Sequence, residues 1–327
     1  MVLIYRRPSI KTRMAMSKTA LNLKHVQNRR YEEITYAEEC IKKFTNHKHV
    51  KIVNSGNSAI LSVMSTFKGK IMIPDQGGWI GFKKMAEFCG LEIVYLPTEF
   101  GLVKIEVLKH FIEKFNPEAL FITSFAGYMA DQPLSNIYNV CDDMGVVMVE
   151  DASGGIGDEN GLLGNGDHAH IILASTGSPK TVNVGNGGFI STDNTILFES
   201  AKNILSSVKA DPVTCAGIAS EIKNAPQVIS KTIEACKFLK LEINEFREVL
   251  HNNRQSLNVA VPDETPKKLG YQLRKGLNVH GGSIITVCPN YNRVNLKSVC
   301  IEIKNLDIRC MTPENLDIII QSLKTQT

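Results

Sequence analysis

Between residues 49 and 149 short apolar runs alternate with ten-residue stretches of helical period, and this alternation leaves few folds open. The runs 49–53, 70–73, 92–96, 119–123 and 146–149 predict strands, and the stretches from about 59, then 81–89, 104–115 and 134–144 predict helices. Repeated strand–helix units argue for a mainly parallel sheet with helices on both faces, an α/β fold. Ligands of such sheets bind beyond the carboxyl ends of the strands. Residues 55–58, Trp79, Asp151 and residues 175–180 all follow a predicted strand.

The stretch 168–192 concentrates the chemistry. An apolar run, 171–174, is followed by Ser175, Ser178 and Lys180, then by Gly185-Asn186-Gly187-Gly188 and a second strand over 189–192. Upstream, Glu150 and Asp151 end a buried strand, where a charge needs a partner. The turn Ser55-Gly56-Asn57-Ser58 caps the helix after it, and a helix N-terminus offers unpaired N–H groups to an anion. An anion, an amine and a phosphate ligand would then converge. Pyridoxal 5'-phosphate needs that set: its aldehyde joins a lysine, a carboxylate keeps its ring nitrogen protonated, and N–H groups and hydroxyls hold its phosphate.

These residues resemble the fold-type I pyridoxal-phosphate enzymes, in particular the DegT/StrS aminotransferase family, over about residues 50–192. That family has a turn like SGTAAL, a proline-led segment with an aromatic, VEDAAH, a serine five residues before the lysine and G-x-G-G five after it. The matching text is SGNSAI (55–60), IPDQGGW (73–79), VEDASG (149–154), Ser175, Lys180 and the glycines from 185. The resemblance implies a seven-stranded-type sheet flanked by helices, a small C-terminal α+β domain, and a homodimer with shared active sites. It makes Lys180 the Schiff-base lysine and Asp151 the partner of the ring nitrogen. Ser175, Gly56, Asn57 and Ser58 would hold the phosphate, and Trp79, one residue farther from Pro74 than the family pattern, would stack on the ring. A late arginine, Arg309, would bind a substrate carboxylate.

Two departures stand out. Gly154 replaces a His or Gln that contacts the cofactor ring, and VKADPVTCAGIASEI (208–222) replaces a G-x-N-x-R-M-like motif that reaches the neighbouring subunit. The second speaks against a nucleotide-sugar substrate. The DASG text is similar to that of archaeal selenocysteine-synthase-like proteins. The expected function is therefore an aminotransferase acting on an amino acid or amino-group donor. Elimination, replacement or sulfur/selenium transfer on the same cofactor is the alternative, with Cys288 or Cys310 as sulfur carrier. Outside enzymes stands a non-catalytic protein that binds nucleic acid or a protein partner.

The remaining text sets the boundaries. With 327 residues, one large core and a smaller partner are expected. We read 1–30 as a basic arm, 31–210 as the cofactor domain, and 211–327 as a helical segment with the small domain. After helical stretches at 194–209 and 228–250, the small domain reads as strand 283–288, helix 295–302, strand 306–310 and helix 312–324. The Gly-rich loop 153–167 fits neither GxxxxGK[ST] nor GxGxxG. His168 and His170 lack a third metal ligand at suitable spacing, so no metal is expected. Residues 1–30 hold eight Lys/Arg and no Asp/Glu, which suits a solvated arm, an arm crossing to a partner subunit, a phosphate- or nucleic-acid-binding arm, or a presequence. No apolar run is long enough to span a bilayer, and eight scattered cysteines without CxxC pairs suit a reducing cytoplasm.

Overall fold

Leu3–Ile4 (β1) and Ile10–Asn22 (α1) lead into Glu32–Thr45 (α2), His49–Val53 (β2) and Gly56–Met64 (α3) in a computed structural model that describes residues 3–23, 31–290 and 293–326. There follow Lys70–Pro74 (β3), Ile80–Phe88 (α4), Glu92–Leu96 (β4), Ile105–Phe115 (α5), Ala119–Thr123 (β5), the short pair Phe125–Ala126 (β6) and Ala130–Asp131 (β7), and Leu134–Asp143 (α6). Val147–Asp151 (β8), Ile171–Ser175 (β9) and Gly188–Thr192 (β10) complete a seven-stranded sheet of order β2-β10-β9-β8-β5-β3-β4. Strands covered on both faces read as unbroken apolar runs, and Leu120, Phe121 and Ile122 of β5 are fully buried. Gly185 and Gly187, both at φ +89°, turn the chain back so that β10 runs antiparallel to β9 and β2. All other pairs in this sheet are parallel.

The helical stretch after β10 is two short helices, Thr195–Ser200 (α7) and Lys202–Ser207 (α8), followed by Pro212–Glu221 (α9) and Ala225–Asn244 (α10). Cys215 and Ile218 of α9, with Ile222 just after it, pack with Val50, Ile52 and Phe189 of the large sheet. Ala235, Leu239 and Ile243 of α10 pack instead with the C-terminal core. That unit contains Val259–Pro262 (β11), Pro266–Gly276 (α11), Val279–His280 (β12), Ile285–Cys288 (β13), Ser298–Ile301 (β14) and Pro313–Lys324 (α12).

Two expectations for the small unit are corrected. Residues 295–302 are not a helix: Ser298–Ile301 is the central strand of the antiparallel sheet β11-β14-β13. Four apolar and small residues carry no helical period of their own, and two flanking strands supply their hydrogen bonds. Residues 306–310 are not a strand either. They hold the 3-10 turn Ile308–Cys310, started by Asp307, whose Oδ1 accepts from the Arg309 N–H at 3.0 Å.

The basic N-terminal segment is docked, which corrects the solvated-arm reading over its described part. β1 pairs in parallel with β12, and Thr12 of α1 donates to Glu221 of α9 at 2.6 Å. Arg6 is buried, donates to the Thr181 carbonyl at 2.6 Å and lies 3.9 Å from Glu221. Lys24, Arg29 and Arg30 lie outside the described residues. Arg6→Ala strands the buried Glu221 carboxylate, so we expect a loss of about 3 kcal/mol of stability, read as a lower denaturant midpoint. An unchanged midpoint would remove Arg6 from the fold's essential contacts.

Candidate active site

The carboxyl ends of β2, β5, β8 and β9 open onto one cavity of about 300 Å³. Its lining brings together Gly56, Asn57, Trp79, Asp151, Ser175 and Lys180. Ser55 is extended and caps α3 by accepting from the Ser58 N–H at 3.1 Å. The first-turn N–H groups of Gly56 and Asn57 have no acceptor inside the helix. Gly56 packs its backbone on Ser175: a Cβ at 56 would lie 2.5 Å from the Ser175 Cβ. The Ser58 hydroxyl is spent on the Asn54 side chain at 2.6 Å, and Ser58 does not line the cavity.

The two carboxylates that end β8 serve different ends. Glu150 is fully buried and accepts from the Gly164 N–H at 2.9 Å and from Ser124, pinning the Gly-rich loop to the sheet. Burial pushes its carboxyl up to about 7, against those two hydrogen bonds. Asp151 faces the cavity; its Oδ1 accepts both the N–H (3.0 Å) and the hydroxyl (2.5 Å) of Ser153. Ser153 Oγ in turn accepts from the Ser175 N–H at 2.8 Å, which locks β8 to β9. No hydrogen bond among the described residues uses Asp151 Oδ2. Burial raises the Asp151 pKa, while Lys180 and Ser153 pull it down.

Lys180 leaves the loop after β9 and donates from Nζ to the Tyr128 hydroxyl at 2.8 Å. Burial alone would lower its pKa, but Tyr128 and Asp151 together hold it above its ordinary value. The Trp79 ring centroid is 5.6 Å from Nζ, and Trp79 Nε1 donates to Asn57 Oδ1 at 3.0 Å. The aromatic is thereby tied to the N-terminus of α3.

Sequence reasoning missed Tyr128 and Arg293. Tyr128 sits in the left-handed region at φ +68°, and its ring is approached by three cations, Lys180 (5.2 Å), Arg293 (5.0 Å) and Lys304 (4.9 Å). A strained tyrosine in a loop after a strand is a functional signal only once φ is known. It also accounts for Gly154: a Cβ there would lie 3.0 Å from Tyr128 Cε1, so the tyrosine holds the space a larger residue would need. Arg293 lines the cavity and pairs with the buried Glu302 at 2.8 Å; Lys304 pairs with the same carboxylate at 2.9 Å. Burial alone would raise the Glu302 pKa, yet Lys304 and Arg293 hold it down to about 2.

Arg309 is not brought to this cavity. It is exposed and bound by Asp307 at 2.8 Å, because the turn that starts at Asp307 folds the guanidinium back on its own loop. His168 and His170 do not converge on a metal site: His170 Nδ1 accepts from the Met148 N–H at 3.0 Å, and its Nε2 lies 3.2 Å from Asp142. Among the described residues no group of three His, Cys, Asp or Glu is placed to hold a metal ion. No described helix is long and apolar enough to cross a membrane.

Removing the Tyr128 hydroxyl takes away one charge-assisted hydrogen bond to Lys180, worth about 1.5–3 kcal/mol. For Tyr128→Phe we expect turnover to fall about tenfold or more, and the Lys180-dependent pH transition to move to lower pH, since Tyr128 is one cause of its raised pKa. A pH profile identical to that of the parent would show that the hydroxyl does not act on Lys180.

The sheet, with one antiparallel strand beside the lysine loop, and the cavity at its carboxyl edge share the fold of the fold-type I pyridoxal-phosphate enzymes. Residues 10–212 match the DegT/DnrJ/EryC1/StrS aminotransferase family, and the chain belongs to it; residues 226–324 match the MJ1341 family C-terminal domain. No curated protein sequence matches at a significant level. Helicobacter pylori PseC, an aminotransferase involved in the biosynthesis of pseudoaminic acid, is 16% identical, with 99% of each chain covered and a TM-score of 0.80. Sphingomonas wittichii serine palmitoyltransferase is 16% identical, over 99% of this chain and 86% of that one, with a TM-score of 0.79. L-threonine transaldolase from Pseudomonas fluorescens is 14% identical, over 100% of this chain and 83% of that one, with a TM-score of 0.77. At these identities the likeness is one of fold.

The chain is thus a pyridoxal-phosphate-dependent, aminotransferase-like transferase. Its own residues fit the cofactor: an amine, a buried carboxylate with one unused oxygen, and a helix N-terminus backed by a serine share one cavity.

Proposed function

We propose that the enzyme moves the amino group of an amino acid onto a carbonyl acceptor. The reading rests on one observation: Lys180, the Asp151 carboxylate and a largely buried arginine, Arg293, line the same cavity. Pyridoxal phosphate supplies an aldehyde that exchanges amines and a ring that takes up the electron pair released at the substrate carbon. Asp151 would hold a proton at the ring nitrogen, and Ser175 with the N–H groups of Gly56 and Asn57 would hold the phosphate. Trp79 would stack on the ring. Lys180 would hold the cofactor through its amine and move the proton at the substrate carbon, with Tyr128 fixing its Nζ. Arg293, whose Nε has no hydrogen-bond partner among the described residues, binds the substrate carboxylate in the role expected of Arg309.

An accessible thiolate would favour sulfur transfer, but Cys288 and Cys310 are both buried, and burial raises the Cys288 thiol. The working unit is a cytoplasmic homodimer in this reading. Exposed Trp79, Tyr95 and Phe100 near the ends of β3 and β4 support the pairing, and eight free cysteines support the compartment. Light scattering at the mass of a monomer would reject the dimer. Localisation of a tagged full chain checks the compartment, and an organellar or exported signal would reject it. Mixing the holoenzyme with a panel of amino acids tests the reaction. Transamination releases a 2-oxo acid and leaves aminated cofactor, whereas release of ammonia with unchanged cofactor would replace it by elimination.

A further inference from the structure

A second hollow, of about 620 Å³, shares no lining residue with the cofactor cavity. The segment before α1, the first turn of α1, the start of α10 and the turn 307–309 bound it. Arg7, Arg13 and Lys231, all exposed, reach it from three separate segments, and none of the three side chains has an ion-pair or hydrogen-bond partner among the described residues. The two carboxylates of the hollow are already engaged. Glu221 accepts from Thr12 and from the Ser9 N–H and lies beside Arg6; Asp307 holds Arg309.

Three exposed cations around one hollow repel one another through solvent, and none of their side chains has an ion-pair or hydrogen-bond partner among the described residues to offset it. An anion would remove that cost. The hollow is of the size that takes a small molecule rather than a single ion. Its cations ring one depression instead of forming a stripe, which is the pattern for a compact polyanion and not for a nucleic-acid strand. Asn224 and Gln227 supply neutral polar groups, and Pro8, Val228 and Ile308 supply an apolar wall.

We propose that this hollow binds a nucleotide-sized molecule carrying a diphosphate, with Arg7, Arg13 and Lys231 on its phosphate oxygens. The site is coupled to the cofactor cavity through the N-terminal segment. Arg6, next to Arg7, donates to the carbonyl of Thr181, the residue after Lys180. The proposal does not depend on which reaction the enzyme performs.

Calorimetric titration of the cofactor-loaded full chain with inorganic pyrophosphate and with ADP tests it. We expect saturable binding of one molecule per chain, with ADP bound at least as tightly as pyrophosphate. Arg13→Glu/Lys231→Glu should weaken both by about tenfold or more, a change of about 1.4 kcal/mol. Lys267→Glu/Lys268→Glu on the exposed face of α11 should leave both within about twofold. Non-saturable heats, or equal losses in the two double variants, would overturn the site. Saturable binding of pyrophosphate without ADP would overturn its nucleotide size. If the first double variant loses its fold or its cofactor band, Arg7→Ala and Lys231→Ala decide separately: a loss of affinity in each supports the site, and none in either overturns it.

Discussion

Lys180→Ala is expected to yield a folded protein that holds pyridoxal phosphate without a covalent link and turns over at least about 10³-fold more slowly. On the proposed reading the variant loses both the amine that anchors the cofactor and the base that moves the substrate proton. Borohydride reduction followed by peptide mass reads the link directly: it should fall on the peptide holding Lys180 in the parent and on none in the variant. Two other buried lysines are the rivals to exclude. Lys304 is paired with Glu302, and Lys240 is buried with its three N–H groups donated to the carbonyls of Met129, His251 and Arg254. Of the three, Lys180 alone offers its amine to the cavity with a single hydroxyl to displace. Attachment on Lys304 or Lys240 in the unmodified chain would refute the assignment.

Asp151→Asn should lower kcat by about 10²–10³ while changing KM little, because in the proposed role its charge acts where the electron pair is stored and not where substrate binds. The fold should survive, since an amide oxygen can still accept from the Ser153 N–H and hydroxyl. Asp151 also helps to hold the Lys180 pKa up, so the substitution should shift the lysine-dependent pH transition downward. Asp151→Glu should not rescue activity: its extra methylene moves the carboxylate off Ser153. A variant with parental kcat would mean that the ring nitrogen has another partner.

Both residues were legible in the sequence because Asp151 ends a buried strand and Lys180 lies in the loop just after the next one, where the apolar run stops and a charge must find company. The strands themselves were legible for the same reason: β2, β4 and β5 begin and end where their apolar runs do. The small unit was harder. Ser298–Ile301 is too short to show a period, and its identity as a strand comes from the hydrogen bonds of β11 and β13 on either side. The basic text at the N-terminus was misleading in another way. Its charge suggested water, yet Arg6 is buried because Thr181 and Glu221, far along the chain, receive it.

By itself the sequence determined the sheet, the capped turn at Ser55 and the lysine and carboxylate at the strand ends, since periodicity and backbone hydrogen bonding are local demands. Only the tertiary structure decided what surrounds Lys180. Tyr128 meets it across 52 residues of chain, Arg293 arrives from the small domain, and Arg309, its likeness in composition, is turned away by Asp307 two residues before it. Those choices depend on which segments pack together, and a charge or hydroxyl carries no local mark of the partner that long-range packing will bring to it.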